Sequence, residues 1–309
     1  MKPIQQLAII GVGLIGTSLA LAAKRSQPGL HVIGIDRDGL SLEQARARGA
    51  IDECVVVENL ASLAQLSTLA ACDAIALALP VRQFPEALAS LAAVIGPQCV
   101  VFDVGSTKAD VLAAAQSALG AKFPQFVGCH PIAGRERHGP LAADVTLFEG
   151  KNVIVCAPQA TADTVDLVTA LWQSVGARVA VMSPDAHDAV FAAVSHLPHM
   201  LAYALVDELA SRPDARTLFA HAASGFRDFT RIASSSPEMW RDIALNNRTA
   251  LLAELDAYLA RVQSLRDSLA KSDADALTAM MQRAQAARER WLSGQLDQFN
   301  QPPQSSEES

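Results

Sequence analysis

Between a short apolar run, Leu7 to Ile10, and an alanine- and leucine-rich stretch lies the hexapeptide Gly11-Val12-Gly13-Leu14-Ile15-Gly16. No other segment narrows the possible folds as far. Gly11 permits a tight turn out of a strand, Gly13 lets a pyrophosphate approach the backbone, and Gly16 lets the next helix pack against that strand. The amides of the first helical turn, at Leu14 and Ile15, then face the phosphates. A second β-branched run, His31 to Asp36, ends on the acid expected to bond the adenosine ribose hydroxyls. Asp36 points to NAD, because its charge repels a 2′-phosphate. Arg37 beside it is able to accept that phosphate, so NADP stays open as the second choice. Read alone, the hexapeptide is also compatible with a plain glycine turn that holds no ligand.

The same stretch imitates a secretory signal, with Lys2, an apolar run from Leu7 to Ala23 and the triplet Ala20-Leu21-Ala22. Three glycines suit a strand-turn-helix better than a continuous helix, and cleavage there would remove the motif. No other run reads as long and apolar enough to span a bilayer, so no membrane is expected. Lys plus Arg is 25 against 32 for Asp plus Glu, a formal charge of −7, which argues against nucleic acid as a partner. Half the residues are apolar, which excludes disorder for the bulk of the chain. Cys54, Cys72, Cys99, Cys129 and Cys156 form no C-x-x-C pair, as expected of a cytoplasmic protein without disulfides or cysteine-held zinc.

Apolar strands alternate with helical stretches through the first part of the chain. Cys72 to Leu79, Cys99 to Val104 and Val153 to Cys156 have no polar face, and Phe84 to Val94 and Ala162 to Val175 carry helical spacing. This predicts an α/β fold, a doubly wound, Rossmann-like parallel sheet over residues 1–182. From Ser183 the strand signals stop, and an all-helical domain is expected over 183–294, followed by a disordered tail, 295–309. Pro237 to Leu269 reads as one helix too long for a small domain to bury, which predicts a homodimer through the helical domain.

Four clusters carry the chemistry. Asp103-Val104-Gly105-Ser106-Thr107-Lys108 leaves a strand and enters a helix, so Ser106 is either a cleft residue or an ordinary helix cap. His130, in Gly128-Cys129-His130-Pro131-Ile132-Ala133-Gly134, sits where a strand breaks into a turn, and imidazole suits proton transfer at neutral pH; without the glycine motif it would read as a structural histidine. Ser195-His196-Leu197-Pro198-His199 spaces two histidines three apart. Pro198 and the lack of further ligands weigh against a metal, and none is expected. Arg227 and Arg231 lie four apart around Asp228. Arg227 reads as its ion-pair partner and Arg231 as a clamp for a carboxylate.

In this order and spacing, GVGLIGTSLA, DVGSTK, GCHPIAGRE, SHLPH and GFRDFTRI resemble the prephenate/arogenate (cyclohexadienyl) dehydrogenase family of tyrosine biosynthesis. The match runs from Leu7 to about Trp291. The resemblance implies that His130 is the catalytic base on the ring hydroxyl and that Ser106 holds that hydroxyl beside the nicotinamide. It further implies that His199 and Arg231 bind substrate, that Glu136 lies near the cleft entrance, and that Trp240 lies near the substrate side chain. Ser224 stands where the family often has glycine. The implied reaction is oxidative decarboxylation of prephenate to 4-hydroxyphenylpyruvate, or of arogenate to tyrosine, with NAD as acceptor. Two other readings remain: a hydroxyacid or imine-reducing dehydrogenase, which would typically use a lysine in the helical domain, and a non-catalytic NAD(H)-sensing module.

Overall fold

The computed structural model describes residues 3–134 and 137–296. The chain divides by its contacts between Leu251 and Leu252. In the first unit, eight strands form one sheet in the order β3-β2-β1-β4-β5-β6-β7-β8. They are β1 (Gln6–Ile10), β2 (His31–Asp36), β3 (Glu53–Val56), β4 (Ala74–Leu77), β5 (Val100–Asp103), β6 (Phe126–Pro131), β7 (Asn152–Cys156) and β8 (Arg178–Val181). The strands β1, β4 and β5 are almost wholly buried, which is why they read as unbroken apolar runs. Five helices cover the sheet: α1 (Leu14–Ser26), α2 (Gly39–Ala47), α3 (Phe84–Val94), α4 (Ala109–Leu119) and α5 (Ala162–Ser174). One apolar cluster holds Leu7, Ile9 and Trp172, the other Ile10, Phe84 and Phe126.

The expected α/β class and doubly wound architecture are present, with one difference. The sheet is parallel only as far as β6; β7 runs antiparallel to β6, and β8 is parallel to β7. Strand direction was invisible in β7 because its apolar pattern is the same in either sense. The order reverses between β1 and β4, the position where open α/β sheets bind ligands outside their strand ends.

Helices follow: α6 (Pro184–Phe191), a π-helical turn (Ala192–His196), α7 (Leu197–Ala210), α8 (Ala215–Ala220), α9 (Ser224–Thr230) and α10 (Pro237–Asn246). The π turn immediately precedes Pro198, which has no amide hydrogen to donate back to its i−4 carbonyl. The run Pro184–Ala210 is long and apolar enough by length and composition to cross a membrane, which corrects the expectation that no run is. Its His187, Asp188 and His196 are buried and hydrogen-bonded within the first unit.

The single helix expected over Pro237 to Leu269 is two, α10 and α11 (Arg248–Ala270), separated by Asn247. The Asn247 amide donates to the Asp188 carbonyl at 2.7 Å and to His196 Nδ1 at 3.0 Å. A short polar side chain recruited inward gives the chain a reason to turn there. The second unit contains most of α11 and α12 (Ala274–Leu292), whose start is capped by the Asp273 carboxylate on the Ala276 amide.

Candidate active site

The glycine turn has the shape its spacing implies. Gly11 adopts φ +99°, and a Cβ there would lie 2.3 Å from the Ala78 carbonyl oxygen. A Cβ on Gly16 would lie 2.1 Å from the Gly11 carbonyl oxygen, so the helix cannot sit this close with any side chain present. Gly13 differs, with open space on its Cβ side, and as the N-cap of α1 it leaves the helix's first amides without a side-chain partner. These features fit a bound pyrophosphate. Asp36 ends β2 next to the turn, where its carboxylate accepts the Val12 amide at 2.7 Å and the Asp38 amide at 3.0 Å. Arg37 is exposed beside it. Neither lines the central cavity.

That cavity, of about 960 Å³, opens beyond the strand ends and is lined by Gly13, Leu14 and Ile15 on the nucleotide side. Ser106, His130, His199, Arg231 and Trp240 line it as well. One residue from each of the four sequence clusters, together with Trp240, therefore lines one crevice. Glu136 lies outside the described residues. Arg227 and Asp228 are both exposed, and the ion pair expected between them is absent among the described residues. Ser106 is not a helix cap. The helix begins at Ala109, and its leading amides, Lys108 N at 2.8 Å and Ala109 N at 2.9 Å, are both accepted by the carboxylate of Asp188 from α6.

His130 is the end of a chain of rings. Its Nδ1 lies 2.9 Å from His187 Nε2, and His187 Nδ1 lies 2.7 Å from Asp188 Oδ1. The carboxylate only accepts, so His187 carries its proton on Nδ1 and accepts at Nε2. His130 must then donate from Nδ1, which leaves its Nε2 bare. Phe191 packs against both rings, with centroids 4.8 Å from His130 and 4.5 Å from His187. Burial is the largest cause that holds His130 well below the ordinary histidine value, and the charge of Lys108 and the neighbouring histidines push the same way. It is uncharged at neutral pH. Asp188 moves down from the carboxylate range: burial opposes this, but the His187 and backbone hydrogen bonds outweigh it. His187 and Asp188 were not singled out in the sequence, because an Ala-His-Asp-Ala stretch in a helix carries no motif.

Across the cavity, His199 donates from Nδ1 to the Ser195 carbonyl at 2.8 Å and stacks on Trp240, ring centroids 3.6 Å apart and planes at 20°. His196, the other histidine of that segment, turns away to Asn247, and burial pushes it down to about 4. The two histidines thus do separate work.

A crevice where a dinucleotide-type turn opens onto an uncharged imidazole defines a nucleotide-dependent oxidoreductase, since hydride removal from an alcohol needs a site for the acceptor and a base for the hydroxyl proton. Two family models match, "Prephenate dehydrogenase, nucleotide-binding domain" over residues 19–181 and "Prephenate dehydrogenase, dimerization domain" over 183–283. The chain belongs to the prephenate dehydrogenase family and is a dehydrogenase of the prephenate/arogenate type. It is 34% identical over 291 residues to the cyclohexadienyl dehydrogenase of Zymomonas mobilis, covering 93% of this chain and 96% of that one. With the Bacillus subtilis prephenate dehydrogenase it shares 38% identity over 274 residues, 88% of this chain and 72% of that one. Among solved structures, the Aquifex aeolicus prephenate dehydrogenase in complex with hydroxyphenyl propionate and NAD+ superposes with a TM-score of 0.85 at 34% identity, covering 94% of this chain and 99% of that one.

Proposed function

We propose that this enzyme converts prephenate to 4-hydroxyphenylpyruvate, with arogenate to tyrosine as the alternative reaction at the same site. The acceptor is NAD. The observation that carries the reading is the bare Nε2 of an uncharged His130 in the wall of a cavity that also holds the glycine turn and Arg231. When bound, the nicotinamide takes the hydride from the ring carbon that bears the hydroxyl. His130 takes the hydroxyl proton at Nε2, and the electron density left on oxygen favours hydride departure. Its new charge is stabilised through Nδ1 by His187 and, behind it, Asp188. Loss of the ring carboxylate as carbon dioxide makes the ring aromatic and sends its electron pair to the ring oxygen, which takes the proton back from His130.

Position in the cavity and the family resemblance support the remaining roles. Ser106, beside His130 in the cavity wall, orients the hydroxyl. Arg231 binds a substrate carboxylate and His199, fixed by Ser195 and Trp240, packs against the substrate. Trp240 meets the side chain; the entrance role of Glu136 rests on the family resemblance alone, since that residue lies outside the described ones. Gly11, Gly13, Leu14, Ile15 and Gly16 hold the pyrophosphate, and Asp36, with Arg37 beside it, meets the adenosine ribose. The functional boundary falls near Ser183, with a substrate and dimerisation part over 183–294. A homodimer is supported by Leu252, Leu259, Val262 and Leu269, which repeat at helical spacing along α11 and are all exposed. A cytoplasmic location fits five free cysteines. The test is growth of nicotinamide absorbance with NAD and each of prephenate and arogenate. No turnover with either would overturn the reading.

A further inference from the structure

We propose that the buried ion pair between Asp103 and Lys108 is the positioning element of the reaction, tying the backbone beside Ser106 to the backbone beside His130 and directing a fixed positive charge at the two linked histidines. This rests on the reading of His130 as the base. Both side chains have 0% exposure, and Lys108 Nζ lies 2.5 Å from Asp103 Oδ2. The same carboxylate accepts the Gly105 amide at 2.7 Å through Oδ2 and the Cys129 amide at 3.0 Å through Oδ1. Gly105 precedes Ser106, and Cys129 precedes His130. One side chain therefore sets the separation of two residues that arrive from different strands, β5 and β6.

A carboxylate with two backbone donors does not need an ammonium to satisfy it, and burying a second charge costs desolvation. Lys108 reaches the pair by passing Gly128, where a Cβ would lie 3.2 Å from its Cδ, so the neighbouring strand leaves room for it. Its own amide is held by Asp188, the far end of the histidine chain. Lys108 is thus bonded to Asp188 through its amide and to Asp103 through its ammonium. The titratable and charged groups around His130 come from three elements: Lys108 and Asp103 at the β5–α4 junction, His187 and Asp188 on α6, and His196 on the π turn. His199 and Arg231 line the same cavity. Burial is the main cause that disfavours protonation of His130 and His187; the Lys108 charge adds to it at both, while Asp188 and Asp103 act the other way at His187.

The experiment compares the pH profile of kcat for the wild type, Lys108→Met, the double variant Asp103→Asn/Lys108→Met, and His130→Asn. Circular dichroism and NAD titration report folding and cofactor binding. Lys108→Met should move the acid limb of kcat upward by about one pH unit or more, because a cation no longer opposes protonation of the base. The KM for substrate should move less than kcat. If the lone buried Asp103 prevents folding, the double variant, which removes both charges and keeps an acceptor for one of the two backbone amides, carries the test and should shift the limb in the same direction. A limb at the wild-type pH in the folded variant would make the pair structural only and overturn the proposal. An acid limb that survives in His130→Asn would instead overturn the assignment of the base, a different failure.

Discussion

His130 Nδ1 and His187 Nε2 face each other at 2.9 Å, although 57 residues separate them in the chain. Asp188, hydrogen-bonded to the far nitrogen of His187, makes the direction of that bond unambiguous and frees one nitrogen of His130 for the cavity. The chemistry follows from this orientation as much as from the presence of a histidine.

His130→Asn keeps a polar group of similar size and removes the base. The kcat should fall by about 10²–10⁴-fold with a small change in KM. In the wild type, kcat should decline as acid protonates His130, and since burial lowers its pKa, that limb lies below the ordinary histidine value near 6.5. Steady-state kinetics across pH decide this; an unaltered kcat would remove His130 from the mechanism.

Asp188→Asn replaces the acceptor that orients His187 and also weakens the cap on α4. The expected result is a loss of kcat of roughly 10- to 1000-fold, from the wrong tautomer in the chain, together with about 1 kcal/mol of stability from the cap. NAD affinity should be unchanged. Denaturant melts and single-turnover rates separate the two effects, and a variant that loses stability alone would confine Asp188 to capping.

Arg231→Ala and Arg227→Ala should behave differently. Arg231 lines the cavity, whereas Arg227 is exposed and does not. Losing a cleft cation opposite a carboxylate costs about 2–5 kcal/mol, a rise in substrate KM well beyond tenfold. Arg227→Ala should leave KM within a few-fold, and NAD titration should be nearly the same for both. Equal KM effects would show that Arg231 is not the substrate contact.

Asp36→Ser should weaken NAD by about 1.5–3 kcal/mol and narrow its advantage over NADP, since a ribose hydrogen bond and a repulsive charge go together. Part of the loss will come from the Val12 amide, which Asp36 now holds. The ratio of kcat/KM values for the two cofactors is the measurement, and an unmoved ratio would displace Asp36 from the ribose.

Acid should destabilise the protein from just below neutral pH, through its buried histidines. The pKa values of His130, His187, His196 and His199 are all lowered, with burial the largest cause in each. The unfolded chain then binds more protons than the native one below about 6.5, so stability falls as pH falls through that window. For His196, at about 4 in the folded protein, the loss amounts to about 3 kcal/mol. Thermal melts between neutral pH and pH ~4 check the slope; a flat curve would mean that these histidines titrate normally.

What was legible in the sequence was whatever depends on local backbone geometry. The glycine turn is set by sterics within six residues, and the apolar strands by burial on both faces, so both could be read directly. The chain's own pattern marked the strand ends that carry His130 and Ser106, but alone it left a helix cap and a structural histidine as readings; the ordered set of motifs singled them out. The antiparallel β7 was not legible, since an apolar run has no direction, and neither was the break at Asn247, whose reason is a hydrogen bond to Asp188 and His196 far away in the chain.

By itself, then, the sequence determined the nucleotide half, its turn and the set of residue types brought to the cleft. Tertiary structure alone decided how those residues act. His187 and Asp188 become partners of His130 and of the α4 amides only when α6 packs at the strand ends. His196 and His199, three residues apart, separate into a core hydrogen bond and a ring in the cavity wall because a π turn alters the face each presents. Protonation states are set by burial and by charges from other elements, and no linear pattern of residues encodes either.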